Sequence, residues 1–286
     1  MFADRPAFAA KRPRRGHAGA FGGGGLTRLR HNDAVTRPRL AACLIFAVAA
    51  TATAQFDAPG NGHYRTDLSY DGRFTFVRLR WKSDFGYSRR GMWSSAWNHD
   101  YPRAEQNLGL ILQELTSLDI RTDGSKILTL DDPELFKYPV AFMWEPGFWN
   151  LTDAEAVAFR AYLQKGGFAV FEDFDGAQQW SVFDAQMRRV LPDARFVKLD
   201  NTHRIFDTFF QVKNIDAIVH PMSHIRPSYY GIFENNDPSQ RLMVVANFDN
   251  DVPEYWEWSG QGLFPFDSTN EAYKLGVNYM IYGLIH

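Results

Sequence analysis

Acidic side chains follow two apolar segments of this sequence, where they are placed to do chemistry. Glu172, Asp173 and Asp175 come after one of these segments. Glu145 ends the other. Carboxylates that share a pocket raise one another's pKa, which suits general acid–base catalysis, and their oxygens also bind hard cations. In the alternative interpretation, these side chains are solvated or cap the next element. The sequence leaves both interpretations open.

Histidines provide further candidates for chemistry. His203 is a candidate catalytic residue, and its alternative role is local hydrogen bonding near a sheet edge. His220 and His224 are four residues apart, a spacing that favours zinc only on a helix. Pro221 and Pro227 argue against a helix there. We therefore expect no metal site and no cofactor.

Four further residues are candidates for ligand binding, because they lie in or beside a long loop after the first predicted strand. Ligands of open parallel sheets bind beyond the carboxyl ends of the strands. A large aromatic residue in such a loop also has packing against the core as its alternative role. The four residues are Arg80, Trp93, Asp100 and Tyr101.

A later acidic segment, Asp249-Asn250-Asp251 with Glu254, offers oxygen ligands of the kind that cation loops contain. It lacks the glycine and the regular spacing of a calcium loop. The segment therefore favours a solvated turn before Pro253 over a cation site.

Strands and helices alternate along the part of the chain that carries these residues. Segments 140–145 and 168–171 are continuous apolar runs, typical of buried parallel strands. Between them, Thr152 and Glu155 predict a capping box at the start of a helix. The alternation predicts a doubly wound, mostly parallel α/β sheet flanked by helices, in a single domain of residues 73–286.

Several strings occur in a defined order along residues 73–285. They include FTFVRLRW at 74–81, LDDPELFKYPVAFM at 130–143, LTDAEAVAFRAYLQKGGFAVFEDF at 151–174, HRIF at 203–206 and AYKLGVNYMIYGL at 272–284. This series resembles a bacterial family called domain of unknown function 4159. The resemblance implies a class I glutamine-amidotransferase-like fold, which is flavodoxin-like, and it supplies no reaction.

The resemblance allows one reaction to be tested against the residues. In amidotransferases of this fold, the nucleophilic cysteine lies on a sharp turn after a strand. The comparable turn here follows segment 168–171 and holds carboxylates, with no cysteine or serine. Because a carboxylate is a poor nucleophile toward an amide, we expect no cysteine-dependent amidotransferase activity. The sequence leaves open whether the domain is an enzyme of another kind, and it favours a binding function.

Residues 37–54 have the three parts of an export signal: a basic start, a short apolar centre and small residues at the end. They predict cleavage after Ala54 and a periplasmic or secreted domain, with no membrane span after the signal is removed. Residues 1–36 are either a disordered leader or the result of a start codon assigned too far upstream. Residues 55–72 are polar and glycine-rich, which predicts a linker.

Charge and cysteine usage narrow the possible partners of the exported domain. Residues 1–54 hold nine of the 31 basic and two of the 33 acidic side chains, which leaves 22 and 31 and a net charge of −9. This balance argues against a nucleic-acid partner. The single cysteine, Cys43, lies in the predicted signal, so the domain has no disulfide, thiolate ligand or cysteine nucleophile.

These features predict an exported α/β domain that binds a small polar ligand or an envelope protein at the carboxyl ends of its strands. Two alternatives stay open. The carboxylates suit a hydrolase that acts on a glycan or related substrate, and the many aromatic side chains suit a scaffold in an envelope assembly. The oligomeric state does not follow from the sequence.

Overall fold

A computed structural model describes residues 64–82 and 96–286. Within them, seven strands form one sheet in the order β2-β1-β3-β4-β7-β6-β5. Neighbours from β2 to β7 pair in parallel, and β6 pairs antiparallel with both β5 and β7. The strands are β1 (Val77–Leu79), β2 (Lys126–Leu128), β3 (Val140–Trp144), β4 (Phe168–Phe174), β5 (Val197–Leu199), β6 (Ser228–Phe233) and β7 (Leu242–Phe248).

Helices cover both faces of this sheet. Side chains of β3 alternate between two apolar cores: Val140 and Phe142 face one, and Ala141 and Met143 face the other. A strand buried on both sides needs a continuous apolar sequence, which is why segment 140–145 has no polar alternation. The α-helices of the described residues are α1 (Arg103–Leu115), α2 (Asp153–Gln164), α3 (Gly176–Val190), α4 (Val252–Glu257) and α5 (Phe266–Ile285). The predicted single α/β domain with a mostly parallel sheet is confirmed.

Local sequence signals set the helix that joins β3 to β4. The Thr152 hydroxyl accepts a hydrogen bond from the Glu155 backbone N–H (3.2 Å), and the Glu155 carboxylate accepts one from the Thr152 N–H (2.7 Å). The predicted capping box at the start of α2 is therefore confirmed. It fixes where the chain leaves the carboxyl end of β3.

Strand β4 extends three residues beyond the apolar segment 168–171, and all seven of its residues are buried. The prediction that Glu172 and Asp173 lie in a turn after this strand is wrong. The register with β7 shifts between Phe171 and Phe174, and Asp173 has a φ of 60°. A bulge of this kind re-aims a side chain without ending the strand.

The leader lies outside the described residues, and so do the predicted signal at 37–54 and the first part of the predicted linker. Within that linker, residues 64–72 lie against the sheet: Arg65 pairs with Gly124, and Leu68 is fully buried. None of the helices in the described part of the chain is long and apolar enough to span a bilayer.

Candidate functional site

Five side chains from four segments meet at the carboxyl edge of the sheet. One segment lies just before α1, the second follows β3, the third is the bulge of β4, and the fourth follows β7. Ligands of open α/β sheets bind at this edge. The five residues, called here the edge cluster, are His99, Asp100, Glu145, Asp173 and Asp251.

His99 lies among the carboxylates of this cluster. Its Nδ1 is 2.5 Å from an oxygen of Asp173, 3.7 Å from Asp100 Oδ1 and 4.0 Å from Glu145 Oε1. One ligand atom each of His99, Asp100, Asp173 and Asp251 lie within 4.8 Å of one another. The side chain of His99 is 50 % exposed, whereas the three aspartates are buried. The cluster thus has one accessible side, which the imidazole borders.

Three residues of the edge cluster have a left-handed backbone. The φ angles are 61° at Asp100, 52° at Glu145 and 60° at Asp173. Non-glycine residues adopt this conformation uncommonly, and where they do, the strain is often found at functional sites. Here the backbone turns each carboxylate toward the others.

A buried arginine holds the segment that carries His99. The guanidinium of Arg78 forms two hydrogen bonds of 2.8 Å with the Glu105 carboxylate, and both side chains are fully buried. The same guanidinium donates to the backbone carbonyls of Trp97 (3.0 Å) and His99 (2.7 Å). It also stacks 3.4 Å from the ring centroid of Trp144. Arg78 therefore ties the loop before α1 to the centre of the sheet.

Hydrogen-bond donors orient two of the buried carboxylates. The indole N–H of Trp144 donates to Asp100 Oδ2 (2.8 Å), and the backbone N–H of Glu254 donates to Asp251 Oδ1 (3.1 Å). The other oxygen of Asp100, Oδ1, is buried and has no hydrogen-bond partner within residues 64–82 and 96–286. A buried acceptor without a partner is costly and needs an explanation.

Burial and mutual repulsion shift the pKa values of the cluster. The hydrogen bond with Asp173 raises the pKa of His99 to about 10. Burial raises the pKa of Glu145 to about 9, with the Asp173 charge as the next cause. Burial and the Asp173 charge also raise the pKa values of Asp100 and Asp251 well above their usual range. The site therefore accommodates positive charge and resists further negative charge.

Of the predicted catalytic residues, the structure brings together Glu145 and Asp173 and separates Glu172 from them. The Glu172 side chain is fully buried and accepts a hydrogen bond from the Asn247 amide, whose oxygen accepts one from the Tyr279 hydroxyl (2.6 Å). Burial raises the pKa of Glu172 well above its usual value. This carboxyl group belongs to the packing between β4, β7 and α5.

Asp175 lines a cavity of about 170 Å³ beside the edge cluster. Its carboxylate accepts a hydrogen bond from the Gln179 amide (3.1 Å). Glu145, Asp173 and His220 line the same cavity. The cavity gives a polar ligand space next to the cluster.

His203 lies at the opposite edge of the sheet. Its ring packs 5.5 Å from the ring of Phe233, which pairs with Leu242, the first residue of β7. Its Nδ1 accepts a hydrogen bond from the Ile205 N–H (3.2 Å) and so caps a short helical turn. The structure therefore does not bring His203 together with Glu145 and Asp173.

Of the four predicted ligand-binding residues, the structure places one in the edge cluster. Asp100 is a member of the edge cluster, and the next residue, Tyr101, packs edge-on against Tyr64 with ring centroids 6.1 Å apart. Arg80 directly follows β1 and is exposed. Trp93 lies outside the described residues.

Sequence reasoning missed His99, and it weighed Asp251 as a cation ligand but favoured a solvated turn. The solvated turn expected at 249–251 is wrong for Asp251, which is only 2 % exposed, and for Asn250, which is fully buried. The rule that selected Asp100, the position beyond a strand end, also applied to His99 and Asp251. The histidine was overlooked because only His203, His220 and His224 were weighed as metal ligands.

The spacing of the carboxylates bears on the alternative of glycan hydrolysis. In glycosidases, the two carboxyl groups stand about 5–5.5 Å or 6.5–9.5 Å apart across a cleft. The aspartates of the edge cluster offer oxygens within 4.8 Å of one another and of the imidazole nitrogen. Oxygens this close to one another can share one cation.

One family model matches this chain. Its description is "Domain of unknown function (DUF4159)", and the match covers residues 75–284. No curated protein matches the chain.

Proposed function

Since the chain belongs to the DUF4159 family, whose description names no activity, we propose that it binds a small polar ligand that carries positive charge. The ligand occupies the carboxyl edge of the sheet. The observation that supports this proposal is the convergence of four carboxylates and one imidazole from four separate segments.

The charge of the ligand follows from the charges of the edge cluster. Four carboxylates lie around a single histidine, and the pKa values of three of them are raised. The carboxylates repel one another, and without a ligand this repulsion favours their protonation. A bound cation offsets the same repulsion. An anionic ligand adds to that repulsion.

Preorganisation supports binding as the function of this edge. Arg78 and Trp144 hold the segment that carries His99 and Asp100, and the left-handed residues fix where the carboxylates point. Groups held in place before binding lose little conformational entropy when the ligand arrives.

We also propose that the domain works outside the cytoplasm, because residues 37–54 have the pattern of an export signal. Amino-terminal sequencing of the protein from its native cells is expected to give Gln55 as the first residue. A chain that begins upstream of Leu40 would contradict this location.

Thermal unfolding tests the binding proposal with probes of different charge. Saturating Mn²⁺ or putrescine is expected to raise the Tm of the purified chain by roughly 5 °C, since a ligand at 100 times its Kd contributes about 2.7 kcal/mol. Inorganic phosphate and glucose are expected to leave the Tm unchanged. Asp173→Asn is expected to reduce the rise. Glu114→Gln, an exposed change on α1, is the matched control and is expected to keep it.

Two results would contradict the binding proposal. One is a Tm that responds to no cation. The other is a rise with phosphate or glucose that equals the rise with Mn²⁺ and putrescine.

A further inference from the structure

We propose that the cation is a divalent metal ion, held by His99, Asp100, Asp173 and Asp251. This inference rests on the proposed cation-binding function and specifies its ligand. It replaces the expectation from the sequence that there is no metal site, which considered other histidines.

The distances fit a single ion. Nitrogen and oxygen ligands lie about 2.0–2.2 Å from ions such as Zn²⁺ and Mg²⁺, so two ligands on opposite sides stand about 4.2 Å apart. The four candidate ligand atoms lie within 4.8 Å of one another. No separation must therefore shorten by more than about 0.6 Å, while His99 Nδ1 and the Asp173 oxygen, 2.5 Å apart, must separate to about 3 Å as the ion replaces the proton between them.

Asp100 supplies an independent sign of a ligand. Its side chain is fully buried, and its Oδ1 has no hydrogen-bond partner among the residues that the structure describes. This oxygen points toward the imidazole, 3.7 Å from His99 Nδ1. A metal ion between the two atoms gives this oxygen a partner, which no N–H group of the described residues does.

The groups behind the four ligands resemble the outer shell of a metal site. Ligand carboxylates in proteins are usually held by hydrogen bonds at their other oxygen. Here the Trp144 indole holds Asp100 through Oδ2, and the Glu254 N–H holds Asp251. Arg78 holds the carbonyl of His99 itself.

The ligand types indicate which ions fit. Carboxylates suit Mg²⁺, Ca²⁺ and Mn²⁺, whereas imidazole suits transition metals. A site with three carboxylates and one imidazole is therefore suited to a first-row ion such as Mn²⁺. Calcium, which prefers six to eight oxygen ligands, is a poorer match.

Mn²⁺ binding to the purified full chain, followed by electron paramagnetic resonance and calorimetry, tests the proposal. We expect one Mn²⁺ per chain and at least roughly tenfold weaker binding of Ca²⁺. Asp251→Asn keeps an oxygen for the Glu254 N–H but removes one charged ligand, and it is expected to weaken Mn²⁺ binding roughly 30-fold. The distant Glu114→Gln variant is expected to bind Mn²⁺ with a Kd within about twofold of that of the original chain.

Three results would overturn the inference. They are no binding of Mn²⁺, equal binding by the Asp251→Asn variant, and tighter binding of Ca²⁺ than of Mn²⁺. If putrescine still raises the Tm while no metal binds, the metal inference fails and the cation-binding proposal stands. If neither probe binds, both fail.

Discussion

The Arg78→Met variant is expected to lose about 3–5 kcal/mol of its free energy of unfolding. Removing one partner of a buried ion pair leaves the other charge buried without compensation, which costs about that much. The partner left behind is Glu105, whose side chain is fully buried. The backbone carbonyls of Trp97 and His99 also lose their donor. Urea unfolding at neutral pH measures the loss.

Two further variants separate the contributions of Arg78. Arg188→Met removes an arginine from an exposed i,i+4 pair with Asp184, and it is expected to leave the free energy of unfolding nearly unchanged. Arg78→Met combined with Glu105→Leu removes both buried charges, and it is expected to regain about half of the lost stability. The double variant still lacks the donor to His99, so weak Mn²⁺ binding is expected. A loss below about 1 kcal/mol for Arg78→Met would contradict the proposed role.

Asp100→Asn is expected to have the opposite effect on stability, raising the free energy of unfolding of the metal-free protein by about 1–3 kcal/mol. The side chains have the same shape, and asparagine tolerates the left-handed backbone at this position. The amide oxygen keeps the bond from Trp144, and the new N–H₂ group faces the neighbouring carboxylates instead of an unpartnered Oδ1. The substitution thus replaces repulsion between carboxylates with hydrogen bonds from the new amide group.

Urea unfolding in the presence of EDTA measures this gain, and the same variant is expected to lose the stabilisation that Mn²⁺ provides. Higher stability with loss of binding is typical of a residue kept for function rather than for folding. Asp131→Asn, an exposed change that keeps the acceptor for the Thr129 hydroxyl, is expected to stay within about 0.5 kcal/mol. A destabilised Asp100→Asn variant would show that the carboxylates do not repel one another.

The parts of the fold that local sequence determines were predictable. The apolar run of β3 and the capping box of Thr152 and Glu155 depend on neighbours within a few residues, and both were identified. The end of β4 was not, because a bulge against β7 keeps Asp173 within the strand. That bulge arises from pairing with residues more than 70 positions away.

The candidate site was predictable only in its location. The rule that ligands bind beyond strand ends selected Asp100, Glu145 and Asp173. The rule does not say whether Arg78, in β1, or Arg80, just after it, is buried. Arg80 was chosen, yet Arg78 is the one that meets a partner, Glu105, which lies on α1. Which of the two side chains is buried depends on contacts between segments that are far apart in the sequence.

The left-handed backbone at three positions of the edge cluster restricts how this surface can evolve. Asparagine, aspartate and glycine tolerate that conformation best, so asparagine or glycine can replace Asp100 and Asp173 without backbone strain, although the carboxylate is lost. Glutamate is not among the favoured residues, so Glu145 adopts this backbone at a conformational cost. Among relatives that no longer bind the ligand, we therefore expect replacement of residue 145 to relieve the most backbone strain.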